Sequence, residues 1–280
     1  MTTITAPGAS IHVLDDGPSD GPPVVLLHAG IADSRAWDDL VPLLAAGGYR
    51  VIRYDRRGFG RTVTEDVEFS NRADLLAVLD ALGVTRAALV GNSQGGQIAV
   101  DAAIEWPDRV SAVIGVAAGL GGYEGAVTPD EERLFERMDA LEARLDEAGT
   151  AEALAEAVDF DVTVWVDGAG QPADRVPAAI RDLVRTMDAD HFDPARIQGQ
   201  AIPLRPPAAE RLGELRAPVL AVAGALDVSD VAATARHLEA SVEGARAVIW
   251  PDVAHMIGLE APDRLAGLIL DFLTPLPRWS

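Results

Sequence analysis

A serine flanked by glycines has the sequence setting in this chain that points most directly to chemistry. An apolar run at residues 87–90 leads into Gly91-Asn92-Ser93-Gln94-Gly95, and small residues at helical spacing follow. This order predicts a buried strand, a sharp turn and a helix, with the Ser93 hydroxyl at the apex of the turn. The glycines allow a tight backbone, and the helix N-terminus directs N–H groups at an anion formed there. Ser93 is therefore the candidate nucleophile.

A serine hydroxyl attacks an acyl carbon only when a base takes its proton and an acid orients that base. Of the five histidines, His255 is the candidate base, because it follows the last predicted strand and so falls at the same sheet edge as Ser93. Asp227, in the loop after the apolar run 219–224, is the candidate acid. Asp230 is the alternative, but it is better placed to cap the helix that follows.

The other histidines suit other roles. We expect His28, at the end of a strand, to be buried in packing, and His12 to be structural on an edge strand. His237 is expected in solvent on a charged helix. His191 lies in a separate helical region, where solvent exposure and substrate contact are both open.

Attack on an acyl carbon creates an oxyanion, and preorganised N–H groups must stabilise it. We expect one donor to be the backbone N–H of Gln94, directly after the nucleophile. The second is expected from the loop after residues 24–28, where Gly30 is favoured and Ala29 or Ile31 are alternatives.

Apolar runs that predict strands alternate with segments that predict helices. The predicted strands are residues 11–14 (at the sheet edge), 24–28, 50–54, 87–90, 110–118, 219–224 and 247–250. The predicted helices are residues 34–46, 70–82, the segment after Ser93, 231–238 and 262–273. This alternation predicts an α/β fold with a mostly parallel twisted sheet and helices on both faces. Ligands bind such sheets beyond the carboxyl ends of the strands, where Ser93 is expected.

The character of the chain changes after Gly121. Residues 131–148 form a charged amphipathic pattern, and residues 152–158 and 176–187 are also predicted to be helical. We interpret residues 122–210 as a helical cap, or lid, inserted into a core of residues 1–121 and 211–280. The alternative is that this segment is simply more of the main domain.

A substrate pocket is expected between the cap and the sheet edge. Its predicted lining residues are large and apolar: Trp37, Phe135, Met138, Trp165, Met187, Phe192 and Met256. They favour a partly apolar acyl or ring group. Arg35 and Arg57 lie in loops near the site, where ion pairs with acidic residues are favoured over contact with a substrate carboxylate.

Composition excludes several classes of function. The net charge of −21 disfavours nucleic acid and anionic membranes as partners, and the lack of cysteine removes disulfides and thiolate chemistry. No apolar run approaches the about 20 residues that span a bilayer, and no secretory signal is visible. No histidine pair has metal-ligand spacing. We therefore expect a cytoplasmic protein with a small-molecule substrate, no metal and no cofactor, and nothing indicates its oligomeric state.

Five segments in order resemble the α/β-hydrolase superfamily over nearly the whole chain. They are His28-Ala29-Gly30, Asp55-Arg56-Arg57-Gly58-Phe59-Gly60, Gly91-Asn92-Ser93-Gln94-Gly95-Gly96, Gly224-Ala225-Leu226-Asp227 and Ala254-His255-Met256. The resemblance implies the α/β-hydrolase fold, with a helical lid between the sixth and seventh strands. It is greatest to lidded bacterial esterases and lactonases, including enol-lactone and C–C hydrolases. Ala29 departs from the usual glycine of the oxyanion loop, which puts the second oxyanion donor in doubt.

The leading hypothesis is a cofactor-independent serine hydrolase that cleaves a carboxylic ester or lactone through an acyl-enzyme. A C–C bond hydrolase of the meta-cleavage type, or a lyase, is compatible with the same three residues. A non-catalytic ligand-binding protein on a hydrolase scaffold is the alternative from another class. Epoxide hydrolase chemistry is disfavoured, because those enzymes use a carboxylate nucleophile where this chain has Ser93.

Overall fold

A computed structural model describes residues 1–279, most of them in a single sheet and the helices that cover it. The strands are β1 (Thr2–Ala6), β2 (Ala9–Asp16), β3 (Pro23–Leu27), β4 (Arg50–Tyr54), β5 (Val63–Thr64), β6 (Glu68–Phe69), β7 (Ala87–Asn92), β8 (Val110–Val116), β9 (Gln200–Ala201), β10 (Val219–Gly224) and β11 (Arg246–Trp250). Across the main sheet the order is β1-β2-β4-β3-β7-β8-β10-β11, with β5 beside β2. β2 pairs antiparallel with β1, β4 and β5. The remaining neighbours in the main sheet, in the order β4-β3-β7-β8-β10-β11, pair parallel.

The helices cover both faces of this sheet. They are α1 (Val41–Ala46), α2 (Asn71–Ala81), α3 (Gln94–Glu105), α4 (Pro129–Ala148), α5 (Ala151–Asp161), α6 (Ala178–His191), α7 (Ser229–Ser241), α8 (Ile257–Glu260) and α9 (Pro262–Leu273). One hydrophobic core joins the sheet to α2, α3 and α7, and a second joins it to α1 and α9. Every residue of β3, β7, β8 and β10 is buried, as continuous apolar strands covered on both faces require. The predicted fold class is confirmed.

Two local predictions need correction. The predicted helix 34–46 is divided into a 3₁₀ turn (Ser34–Trp37) and α1, because Asp33 caps the turn and Pro42 starts a new helix without donating an N–H. The predicted edge strand 11–14 is the second strand: β1 pairs with it and forms the edge instead. In β1 only Ile4 and Ala6 are buried, and two alternating apolar residues are too few to indicate a strand from sequence.

The helices α4, α5 and α6 lie between β8 and β10 in the chain. Thr128 and Glu131 form a capping box that starts α4, and Glu131 Oε1 also accepts hydrogen bonds from the backbone N–H (2.6 Å) and hydroxyl (2.9 Å) of Ser229 at the start of α7. A third apolar cluster joins this region to the loop after β3 and to Met256. These contacts hold the three helices, called the helical segment (residues 129–191) below, against the carboxyl edge of the sheet.

Within residues 1–279, none of the helices combines the length and hydrophobicity needed to cross a bilayer.

Candidate active site

Ser93 lies at the turn between β7 and α3 in a backbone conformation that L-residues rarely adopt, with φ 54° and ψ −117°. The turn is tight because a Cβ at Gly91 would lie 2.2 Å from the carbonyl oxygen of Gly95. A Cβ at Gly95 would lie 2.2 Å from the carbonyl oxygen of Leu27 in β3. These approaches explain the glycines on either side of the serine. The backbone N–H of Ser93 donates to Val116 O at 3.0 Å, which ties the turn to the end of β8.

His255 and Asp227 form a buried pair at the ends of β11 and β10. The imidazole Nδ1 lies 2.7 Å from Asp227 Oδ2, and the other carboxylate oxygen accepts the N–H of Val228 at 2.8 Å. The loops that carry the two residues meet at Gly224, where a Cβ would lie 2.2 Å from Val253 O. Because Nδ1 faces a carboxylate, the hydrogen-bonded tautomer leaves Nε2 free for a second partner.

Asn92 connects the Ser93 turn to the His255 loop. Its Nδ2 donates to Val116 O at 3.2 Å and to His255 O at 3.3 Å. Ser93 and His255 line one cavity of about 450 Å³. No hydrogen bond joins their side chains within the described chain, and in ligand-free sites such bonds commonly tighten only when substrate binds.

The predicted oxyanion loop is held by a buried arginine. Arg56 donates through Nη2 to Ala29 O and through Nη1 to Gln94 Oε1, both at 3.0 Å, and its backbone N–H donates to His28 Nε2. Burial lowers the pKa of Arg56 to about 10. Burial, then the nearby Arg56 charge, lowers the pKa of His28, so this imidazole is a neutral acceptor. The Gln94 amide lies directly against Gly30, where a Cβ would be 2.8 Å from its nitrogen.

The segment Asp55–Gly60 positions that loop without itself lining the cavity. Asp55 accepts the backbone N–H groups of Ser34 (3.0 Å) and Arg61 (2.8 Å). Arg57 forms a two-pronged buried ion pair with Asp74 on α2, at 2.7 and 2.8 Å. Arg57 is therefore structural, as favoured from sequence.

The sequence matches a known family over most of its length. The model described as "Alpha/beta hydrolase family" covers residues 24–268, a range that includes Ser93, Asp227 and His255. The chain belongs to the alpha/beta hydrolase family.

Several curated proteins resemble this hydrolase. It is 33% identical over 278 residues to the rhodomycin D methylesterase DauP of Streptomyces sp. (strain C5), and the match covers 90% of each chain. It is 30% identical to the 2-hydroxy-6-oxononadienedioate/2-hydroxy-6-oxononatrienedioate hydrolase of Klebsiella pneumoniae, over 94% of this chain and 90% of that protein. Epoxide hydrolase B of Mycobacterium tuberculosis is 37% identical over 122 residues, which are 41% of this chain and span only 34% of that protein.

Solved structures resemble the hydrolase over their whole lengths. The esterase EaEST of Exiguobacterium antarcticum superimposes with a TM-score of 0.76 at 19% identity, over 98% of this chain and 99% of that one. The enol-lactonase of Burkholderia xenovorans gives 0.70 at 23% identity, over 95% and 97%. At these identities the likeness establishes the fold, and it confirms the α/β-hydrolase fold.

The cavity of this hydrolase has one wall from the sheet edge and one from the helical segment. Its lining residues are Ala29, Gly30, Ile31, Ser93, Gln94, Met138, Glu142, Asp146, Asp161, Trp165, Asp188, His191, Phe192, Gln198 and His255. Three of the apolar residues expected from sequence, Met138, Trp165 and Phe192, are among them. The Trp165 ring lies 4.6 Å from the His255 ring, centre to centre.

The other four expected pocket residues lie elsewhere, which corrects the sequence-based assignment. Trp37 is buried beneath the sheet against α8, where a Cβ at Gly258 would lie 2.7 Å from its ring. Met187 and Met256 are buried in the apolar cluster at the junction of the helical segment and the sheet. Phe135 packs beside Trp165, with ring centres 6.4 Å apart, and is not itself among the lining residues. Their apolar character serves packing.

Sequence reasoning missed the acidic residues of the cavity. Glu142 and Asp146 come from α4, Asp161 from the end of α5 and Asp188 from α6. Burial, followed by the negative charge of Glu142, raises the pKa of Asp161 to about 7. Burial, followed by the Asp161 charge, raises the pKa of Asp188 well above its ordinary value. A periodicity analysis assigns charged positions of an amphipathic helix to solvent, so no sequence signal marked these four.

The remaining histidines and Asp230 also find partners. His191 lines the cavity wall, stacks on Phe59 with ring centres 4.0 Å apart, and its pKa is lowered by burial. His237 stacks on Tyr123 at 4.0 Å instead of lying free in solvent. Asp230 lies inside the first turn of α7 and accepts the N–H of Gly125, so it does not cap the helix as expected.

Proposed function

We propose that this hydrolase cleaves a carboxylic ester or lactone through an acyl-enzyme on Ser93, with His255 as base and Asp227 as the acid that orients it. The observation that carries the proposal is the 2.7 Å bond between His255 Nδ1 and Asp227 Oδ2, beside a strained Ser93 in the same cavity. Perturbed backbone geometry and a buried carboxylate–imidazole pair are costly features that serve nucleophilic catalysis.

The proposed reaction has two halves. Ser93 Oγ attacks the carbonyl carbon while His255 Nε2 takes its proton, and the imidazolium then protonates the leaving alcohol oxygen as the ester bond breaks. A water molecule next gives a proton to His255 and attacks the acyl carbon; the imidazolium then returns a proton to Ser93 Oγ as its bond to the acyl carbon breaks, which releases the acid. Asp227 stabilises the imidazolium in both halves and keeps Nδ1 as the donor.

The oxyanion of each tetrahedral intermediate needs N–H donors. We assign them to the backbone of Gln94, at the N-terminus of α3, and of Gly30, which the Gln94 side chain contacts. The hydrogen bonds from Arg56 to Ala29 O and Gln94 Oε1 hold the oxyanion loop in place. In this loop Ala29 stands where the family usually has glycine.

The helical segment supports the proposal that residues 122–210 form a cap over the site. Met138 on α4, Trp165 in the turn after α5 and Phe192 directly after α6, together with the acidic residues, form one wall of the cavity. A wall of this kind limits the access of water to the site and leaves room for a small-molecule substrate.

The experiment is hydrolysis of an activated short-chain aryl ester by Ser93→Ala, with Ser19→Ala, an exposed serine, as the matched control. We expect Ser93→Ala to lose at least about 10³-fold in kcat and to unfold at the same temperature as the wild type. Undiminished turnover by Ser93→Ala would remove the serine from the mechanism. A burst of leaving group with no sustained turnover in the wild type would instead favour a ligand-binding protein.

Hydrolysis of a C–C bond is the second candidate, favoured by 30% identity over 94% of the chain to the Klebsiella hydrolase. That protein's named substrates are dianions. The cavity here is lined by carboxyl groups, and no arginine is among the lining residues of the described chain, which disfavours a dianion. Comparing an aryl ester with a vinylogous diketone acid as substrates separates the two candidates.

A further inference from the structure

The cavity wall opposite Ser93 contains a pair of carboxyl groups that lack a cation. Asp161 is 3% exposed and Asp188 is 0% exposed. As carboxylates, both oxygens of Asp188 and Oδ1 of Asp161 have no hydrogen-bond donor within the described chain. Burying an ionised carboxylate without a partner is strongly unfavourable, and no other group of the described residues donates to these three oxygens.

Several other buried acids of this hydrolase have a cationic partner. Asp74 pairs with Arg57, Asp227 pairs with His255, and Asp33 pairs with Arg35 at 2.6 Å. Asp101 and Asp167 also have unpaired carboxylate oxygens, but they lie 3.8 Å from Arg72 and 3.0 Å from Arg181. Asp161 and Asp188 therefore differ from these acids, because no ion pair joins either of them to a cationic side chain of the described residues.

The surroundings of the pair are also negative. Glu142 raises the pKa of both Asp161 and Asp188, and the pKa of Glu142 is itself raised by burial and by Asp139 and Asp146. The hydrogen bonds of Asp161 to Asp188 and to the Trp165 indole act in the opposite direction and lower the pKa of Asp161. The two carboxyls contact each other, and a hydrogen bond between them requires that one keep a proton.

Trp165 connects this pair to the catalytic residues. One part of its side chain contacts Asp161, and its ring lies 4.6 Å from the ring of His255. A ligand group at the acid pair would thus be separated from the proposed scissile bond by about the width of the Trp165 indole. The aromatic face also favours a cation, because the π-electrons attract positive charge.

We propose that Asp161 and Asp188 form the subsite for a positively charged ammonium group of the substrate, so that this hydrolase prefers esters that carry an amine or quaternary ammonium group. The proposal rests on the proposed function, since it names the substrate class of the same cavity. The N–H groups of a protonated amine would donate to the unpartnered oxygens, and any ammonium group, a quaternary one included, offsets part of the negative charge of Glu142 and Asp146. A carboxylate-bearing substrate has no partner on this wall.

The test compares two p-nitrophenyl esters of equal shape. One is the ester of γ-(trimethylammonio)butyric acid, and the other is its carbon isostere, with a tert-butyl group in place of trimethylammonium. We expect the wild type to favour the cationic ester by about tenfold or more in kcat/KM, equivalent to about 1.4 kcal/mol. Asp188→Asn and Asp161→Asn are expected to bring this ratio towards one.

Asp182→Asn is the matched control, because Asp182 is exposed on the same helix as Asp188. The substitution exchanges the same carboxyl group for an amide, but outside the cavity. The ratio should stay at the wild-type value in this variant. If Asp182→Asn lowers the ratio as much as Asp188→Asn does, general charge explains the preference and the subsite is overturned.

Binding of tetramethylammonium, measured by calorimetry on wild type, Asp188→Asn and Ser93→Ala, separates the subsite from catalysis. We expect binding to wild type and Ser93→Ala and weakened binding to Asp188→Asn. Equal hydrolysis of both esters with no cation binding overturns the subsite and leaves the proposed function standing. Cation binding without any ester cleavage supports the subsite and overturns the proposed function.

Discussion

Replacing Asp188 by Asn should stabilise the protein more at alkaline pH than at acidic pH. Burial and the neighbouring Asp161 raise the pKa of Asp188 in the folded state, and burial and Glu142 raise that of Asp161 to about 7. In the unfolded chain both titrate near 3.9. The folded state therefore holds more protons on this pair between these values, so the stability that the pair contributes is fully present below about pH 4 and is lost as pH rises towards 7.

The rise for Asp161 from 3.8 to about 7 spans about three pH units, each equivalent to 1.36 kcal/mol, so about 4 kcal/mol is the upper limit. The measured effect of one Asn should be smaller, because the two carboxyls repel each other and removal of one relieves the other. We expect the advantage of Asp188→Asn over wild type to grow by about 2 kcal/mol between about pH 5 and pH 8.

The assay is urea unfolding followed by tryptophan fluorescence at several pH values across that range. Asp20→Asn is the control, because Asp20 is exposed and its loss makes the same change to the net charge of −21. The quantity that tests the reasoning is the difference in unfolding free energy between variant and wild type as a function of pH. A difference that is constant from pH 5 to pH 8, or that Asp20→Asn reproduces, would refute the assignment of a strained acid pair.

Two further predictions concern the proposed catalytic residues and the turn that positions them. Asp227→Asn should lower kcat by about 10³ to 10⁴ with KM nearly unchanged, because the amide no longer holds the His255 tautomer; steady-state kinetics check this, and a change confined to KM would contradict it. Gly95→Ala should prevent stable folding, since its Cβ would lie 2.2 Å from Leu27 O. Gly267→Ala, at an exposed position of α9, should raise the free energy of unfolding by about 0.5–1 kcal/mol, because nothing lies within 4 Å of its Cβ. Thermal unfolding distinguishes them, and equal stability of the two variants would show that the turn is not tight.

The positions of the three candidate catalytic residues at the sheet edge could be predicted from sequence because each residue follows a recognisable strand. Ser93 comes after β7, Asp227 after β10 and His255 after β11, and parallel strands bring their carboxyl ends to one edge. Glycine marked the close approaches: Gly91 and Gly95 at the turn, and Gly224 where two loops meet. Such short-range signals survive in a single sequence because no other residue fits those positions.

The cavity-facing residues of the helical segment could not be predicted from sequence, because they depend on how the helices pack against one another. The pattern of α4 marks Leu141 and Leu145 as buried, as the structure has them, but it does not say that Glu142 beside them faces a cavity. Met187 and Asp188 are neighbours in α6 and both are buried, one in apolar packing and one at the cavity wall. Hydrophobicity alone cannot separate these two kinds of burial.

The division of roles between sheet and helices has a consequence for how substrate choice arises in this hydrolase. The residues proposed to react lie on the sheet edge, and Arg56, Asp55 and Asn92 hold them there without contacting the acid pair. Asp161 and Asp188 lie on α5 and α6, whose stability they lower at neutral pH. A destabilising group persists in a fold most readily where a ligand relieves it, because bound ligand stabilises the folded state in proportion to its affinity. The charge of the preferred substrate should therefore follow from the helical segment alone, and the two Asn variants would alter substrate preference while the His255–Asp227 pair stays in place.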